Sequence, residues 1–209
     1  MSAVGPFETL ARVGYFFADS MGANVSVSSE RLDAIRELST FARIDGIDFL
    51  SLSEAEQERF CDQLDADRTA FCRDTSDPEE LHAFAVTWEW QDNDDESVHY
   101  LQKIVENPAC EAATALLIYW RCVPEFYRQF SDRSGVIAAK ADVDCFDLVS
   151  EIETKYVAGE YPAGRSSFDP NRPEDCGGYS YAGAYDDMKH KFVRALPAVM
   201  YAPVIGRPE

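Results

Sequence analysis

Residues 112–120 read Ala-Ala-Thr-Ala-Leu-Leu-Ile-Tyr-Trp, without a charge and apolar apart from Thr114. A helix that is apolar on every side has no face to offer water, so other elements must surround it. The stretch is half the roughly 18 residues needed to cross a bilayer. It therefore predicts the central helix of a packed bundle. The rest of the chain supplies the shell: 46% of its 209 residues are hydrophobic and 12% aromatic, enough for one sizeable domain or a domain with an extension.

Around that segment the apolar residues recur at helical spacing. Residues 6–20 carry Phe7, Leu10, Phe17 and Ala18. A helix over 28–44, capped by Ser28 or Ser29, carries Leu32, Ile35, Leu38 and Phe41, with Gly46 as its stop. Ser53 and Glu56 have capping-box spacing and start a helix with Phe60 and Leu64, and a second short piece follows at 67–73. Asp77-Pro78 marks a further start, since aspartate caps the first turn and proline fits its first position. Leu81, Phe84, Ala85 and Trp88 give that helix one apolar face. Helices are predicted over 96–106 and 142–157, and Pro124 is predicted to kink an extension of the central helix towards Phe130. Residues 159–184 read as a long Gly/Pro/Tyr-rich loop, before a last helix over 186–200 interrupted at Pro197. The expectation is an all-α, single-layered-core helical bundle of roughly seven or eight helices. Residues 1–75 form a helical N-terminal extension packed on a main domain at 76–209.

Charge narrows the partners. Lys plus Arg number 19 and Asp plus Glu 38, a formal charge of −19. Such a surface repels phosphate backbones and anionic membranes, so neither nucleic acid nor membrane is an expected partner. No basic region followed by an apolar one opens the chain, so no signal peptide is expected. From Asp74 to Gln102 there is no Lys or Arg, while Asp74, Asp77, Glu79, Glu80, Glu89, Asp92, Asp94, Asp95 and Glu96 all fall there. Like charges left together repel, and an acidic face of this kind suits encounter with a cationic protein. A solvated face of a generally acidic protein explains it equally well.

Trp88 closes the apolar stripe of its helix, whereas Trp90 points elsewhere and is the better surface candidate. The Tyr- and Gly-rich stretch with Tyr179, Tyr181 and Tyr185 suits either adaptable recognition or packing over the core. Candidate partner-binding residues are therefore Glu89, Trp90, Asp92, Asp94, Asp95, Glu96, Tyr179 and Tyr181. Asp92, Asp94 and Glu96 alternate like the start of a calcium loop, but Ser97 and Lys103 stand where glycine and glutamate belong. No metal or cofactor is expected. A second stripe, Asp144, Asp147 and Glu151, fits a solvent face of its helix. His82 fits a hydrogen-bonded core or cap histidine; no nucleophile motif or nucleotide-binding pattern is present. The six cysteines lack CxxC or Cys-His zinc spacing. Cys61, Cys72, Cys110, Cys122 and Cys145 read as reduced core thiols and Cys176 as the exposed one, which implies a cytoplasmic protein.

Three stretches resemble a bacterial family of uncharacterised domains, DUF4274. The first is Glu80-Leu81-His82-Ala83-Phe84-Ala85 running into Trp88-Glu89-Trp90-Gln91-Asp92. The second is Asn107-Pro108-Ala109-Cys110 with Thr114-Ala115-Leu116-Leu117-Ile118-Tyr119-Trp120. The third is Phe168-Asp169-Pro170 with Leu196-Pro197-Ala198-Val199-Met200. The family pattern runs Leu-His, a Tyr/Trp-Asn-Trp-Asp-Asp turn, His-Pro-x-Cys, Gly-Thr-Ala-Leu and an aromatic-Trp pair. Here Glu89 replaces the Asn, Asn93 splits the acidic pair, Asn107 replaces the His and Ala113 the Gly. The resemblance spans 77 to about 200 and leaves out 1–75. It implies a small helical protein without an established activity, some of whose relatives sit beside bacterial toxin genes.

The expected function is a non-catalytic immunity protein that binds and occludes a cognate, basic toxin domain. The alternatives are an enzyme with a carboxylate or His site, and a regulatory adaptor.

Overall fold

The structure, a computed structural model, describes residues 27–40, 47–88, 95–176, 178 and 180–207. Among these, nine α-helices are present and no strand; Phe168 and Val204 make one isolated antiparallel bridge, with mutual N–H···O contacts of 3.0 and 2.9 Å. The protein is all-α. The helices are α1 (Ser29–Ser39), α2 (Glu54–Asp74), α3 (Pro78–Thr87), α4 (Asp95–Glu106), α5 (Ala112–Arg121), α6 (Pro124–Tyr127), α7 (Arg133–Ala138), α8 (Val143–Ala158) and α9 (Tyr181–Met188). The short α6 and α7 are the elements the hydrophobic periodicity did not resolve. Among the described residues no helix is long and apolar enough to cross a membrane.

Local chemistry sets the helix starts. Ser28 accepts from Arg31 N, and the Ser53 N–H donates to the Glu56 carboxylate at 2.9 Å. Asp77 accepts from Glu79 N at 3.0 Å with Pro78 in the first turn, and Asp142 accepts from Cys145 N at 2.9 Å. Gly159 ends α8 at φ +71, the left-handed conformation that glycine adopts without strain.

α5 is the most enclosed element: its residues from Ala113 to Trp120 are all buried. It lies between α3 and α8; α4 packs on α2 and α8, and α1 on α3 and α2. Ile35 of α1 and Leu64 and Cys72 of α2 are buried, and Ile35 and Cys72 join the main core cluster. The described part of the first 75 residues thus shares one core with the helices from α3 onward. The segment after α8 folds back over α5, where the Trp120 indole N–H donates to Met200 O at 2.8 Å. Tyr181, Tyr185 and Tyr201 pack around the Trp120 ring.

Several expectations are corrected. The two helical pieces expected over 53–73 are one helix, α2, since neither glycine nor proline interrupts residues 54–74. Pro124 does not kink an extension of α5. The helix ends at Arg121, Val123 turns the chain at φ +52, and Pro124 starts α6. The last helix lies earlier than expected, at α9, because Ser180 caps it by accepting from Gly183 N at 3.0 Å. Residues 189–201 form only short 3₁₀ turns and irregular chain. Cys61 and Cys176 exchange places: Cys61 is exposed on α2, whereas Cys176 is fully buried with its thiol 3.5 Å from Asp169 O. The helix expected over 28–44 ends early, at Ser39, because Thr40 turns to an extended conformation with its N–H bonded to Arg36 O; the helix expected at 6–20 and the Gly46 stop lie outside the described residues.

Candidate functional site

Acids that stand together in sequence acquire cations, from a chain neighbour in one case and from elsewhere in the fold in the others. Arg73 meets Asp74 at 2.6 Å. Arg31 of α1 grips Glu80 with Nε and Nη2, each at 2.7 Å from a different oxygen. Arg165, from the loop after α8, reaches Glu79 at 3.2 Å and Asp77 at 3.6 Å. Four of the nine acids between Asp74 and Gln102 are therefore paired, and the expectation of an uncompensated run is corrected over residues 74–80. The forked Arg31–Glu80 geometry matches a planar guanidinium to a carboxylate.

The remaining five acids belong to the connection from α3 to α4. Glu89, Trp90, Asp92 and Asp94 lie outside the described residues, and Asp95 and Glu96 occupy the first turn of α4. Acidic residues suit that position because the free N–H groups of a helix start favour negative charge. Both ends of the connection are anchored. Trp88, 7% exposed, stacks on Phe84 at 5.4 Å and meets Tyr100 of α4 at 5.3 Å. The Arg68 guanidinium lies 5.2 Å from the Trp88 ring and 5.7 Å from the Tyr100 ring. Arg68 also donates to Leu38 O and Thr40 O, and Tyr100 Oη donates to Asp65 at 2.6 Å. Trp88 is a core residue, as its helical position implies.

Tyr181 is set apart from this anchorage. It is half-buried, with its ring parallel to Trp120 at 6.3 Å. Tyr185 is buried, stacks on Phe192 at 4.7 Å, and its hydroxyl accepts from Leu196 N at 2.9 Å. Packing over the core thus explains Tyr185, and Tyr179 lies outside the described residues. The second acidic stripe is also structural at two positions: Asp147 pairs with Arg133, and Glu151 with Lys155 and Gln102.

Titratable groups elsewhere show what the bundle offers to chemistry. His82 Nδ1 lies 3.0 Å from Thr114 Oγ1, joining α3 to α5. Burial, then the nearby Arg121 charge, lower its pKa to about 4, so the imidazole is neutral at physiological pH. Burial pushes the Cys72, Cys110 and Cys176 thiols up to about 12, which makes them inert. Among the described residues no group of three His, Cys, Asp or Glu side chains could hold a metal ion.

Two features escape sequence reading. Burial raises Glu125 of α6 to about 7. Arg128, 2% exposed, pairs with Glu153 of α8 and donates to Tyr119 Oη at 2.8 Å. Their only sequence signal was a pair of charges beside the aromatic residues of Pro124-Glu125-Phe126-Tyr127-Arg128.

The residues that carry the family resemblance are inter-element ties. His82 binds Thr114, Trp120 binds Met200 O, and Asn107 Nδ2 faces the carbonyls of Cys72, Arg73 and Thr75 at the end of α2. A family model, described as a domain of unknown function, DUF4274, matches residues 76–157. The match ends within α8, so the third resembling stretch, Phe168 to Pro170 with Leu196 to Met200, falls outside it. No curated protein and no solved structure matches the chain. Residues 76–157, from the turn before α3 to the last turn of α8, are thus the part of the chain that is similar to DUF4274.

Proposed function

We propose that the protein is a bacterial immunity protein that binds and occludes a basic toxin domain, with no chemistry of its own. The observation that carries this reading is the sequence from residue 81 to residue 102. It holds Glu89, Asp92, Asp94, Asp95 and Glu96 and no Lys or Arg, in a chain of charge −19. The acids at residues 74–80 have partners within the fold, so the reading rests on the other five as the sequence places them. Their connection is held at both ends by Trp88 and Tyr100, and a loop with fixed ends loses less entropy on binding than a free one. Carboxylates there pair with lysines and arginines that the toxin uses on its substrate, and the bulk of the domain keeps that substrate out. The cytoplasm is the compartment in which such a protein protects its own cell. The association with toxin genes that the DUF4274 resemblance implies favours this reading over an enzyme or an adaptor.

The test is capture of partners from the source bacterium at low and at high salt, with the product of the neighbouring gene as the named candidate. The expected result is a basic protein retained at low salt and lost at high salt. Recovery of an acidic partner, or of none from a lysate that contains the neighbouring product, refutes the proposal.

A further inference from the structure

Cys122 caps the C-terminal end of α5 and Cys145 lies in the first turn of α8, two helices that pack on each other. Cys145 Sγ lies 3.7 Å from Cys122 O, so the thiol of one cysteine rests against the backbone of the other. Asp142 fixes the backbone beneath that thiol by accepting from Cys145 N at 2.9 Å. Cys122 is 7% exposed, whereas Cys145 is half-buried. Of the pair, Cys145 is the thiol that solvent reaches first.

We propose that Cys122 and Cys145 are an oxidisable dithiol pair, which hydrogen peroxide converts to an intramolecular disulfide joining α5 to α8. The Cys145 thiolate attacks one peroxide oxygen and the O–O bond breaks. That oxygen stays on sulfur as a sulfenic acid, and the other leaves as water with the thiol proton. The Cys122 sulfur then attacks the Cys145 sulfur, the S–O bond breaks, and the hydroxide leaves as water with the Cys122 proton. Two thiols lose two electrons and the peroxide becomes two waters. Side-chain rotation at these two neighbouring cysteines brings the sulfurs to the bonded separation of about 2 Å. The bond encloses residues 122–145, which contain α6 and α7. Cys122, the more buried of the two, is the second thiol to react. The inference is independent of what the acidic connection binds.

The experiment uses the full chain carrying Cys61→Ser, which removes the exposed competitor and leaves five of the six cysteines. Folded protein is treated with hydrogen peroxide, denatured, titrated for thiols and mapped by non-reducing peptide mass analysis. The expected result is a fall from five thiols to three, a Cys122–Cys145 linked peptide and recovery of five after reduction. Adding Cys122→Ser should leave Cys145 as a sulfenic acid trapped by dimedone, with no linked peptide; adding Cys145→Ser should leave all four remaining thiols intact. A link between other cysteines overturns the proposal. So does an unchanged thiol count under peroxide that oxidises Cys61 in the unsubstituted chain.

Discussion

Replacing Asn107 by Ala removes the tie between the end of α4 and the end of α2. Asn107 is 8% exposed; its Nδ2 lies 2.9, 3.1 and 2.9 Å from the carbonyl oxygens of Cys72, Arg73 and Thr75, and its Oδ1 accepts from Ala109 N at 2.8 Å. Two amide hydrogens serve three carbonyls, so the side chain makes the equivalent of two donated bonds and one accepted. At about 1 kcal/mol for each net hydrogen bond, the Ala variant should lose about 3 kcal/mol. Asn107→Asp keeps the shape but turns the donor into a carboxylate facing three carbonyl oxygens, so it should lose more than Ala at neutral pH. Those oxygens disfavour the charged form and raise the introduced carboxyl in the folded state above its unfolded value of about 3.9. Between those two values the folded state holds the extra proton. The Asp variant's stability relative to Ala is therefore highest below about pH 4 and falls as pH rises through the folded value. Urea unfolding followed by helix circular dichroism, at acid and neutral pH, measures both effects. An Ala variant within about 0.5 kcal/mol of the parent, or an Asp variant with no pH dependence relative to Ala, refutes the argument.

Leu116 is fully buried on α5, and Leu116→Ala should cost about 2–5 kcal/mol in the same urea assay through transfer and cavity terms. Burial raises Glu125 to about 7, above its unfolded value, so the folded state binds more protons between the two. The stability of the parent relative to Glu125→Gln is therefore greatest below about pH 4.3 and falls as pH rises through about 7; parallel curves would contradict the assignment. Thiol titration of denatured protein that has met neither oxidant nor reductant should find six free groups, matching the absence of any disulfide among the described cysteines.

What the sequence made legible is what neighbouring residues decide between them. The caps at Ser28, Ser53, Asp77 and Asp142 needed only side chains within three residues of the helix start. The burial of α5 followed from its lack of any polar face. Ion pairing was not legible, because topology chooses the partners: Arg31 and Glu80 are 49 residues apart, and Arg165 reaches back from beyond α8 to Glu79. The acids at residues 74–80 therefore looked uncompensated when they were not. Cys176 failed for a related reason, since its loop closes over the core and carries the thiol inward. At the candidate site, the anchoring of Trp88 was legible from the stripe with Leu81 and Phe84. The Arg68 guanidinium beside it was not, since α2 carries it there from another part of the chain.

The most direct test of the binding account is the association rate with the basic toxin domain proposed as the partner, compared between the parent and an Asp92→Lys, Asp94→Lys, Asp95→Lys variant across salt concentrations. Electrostatic steering should lift the parent's rate well above the roughly 10⁵–10⁶ M⁻¹s⁻¹ of uncharged pairs at low salt. Reversal of the three charges should lower the low-salt rate by at least about tenfold and flatten its salt dependence, with helix content unchanged. A variant that associates as fast as the parent, with the same salt dependence, would contradict the account and place the binding face elsewhere on the protein.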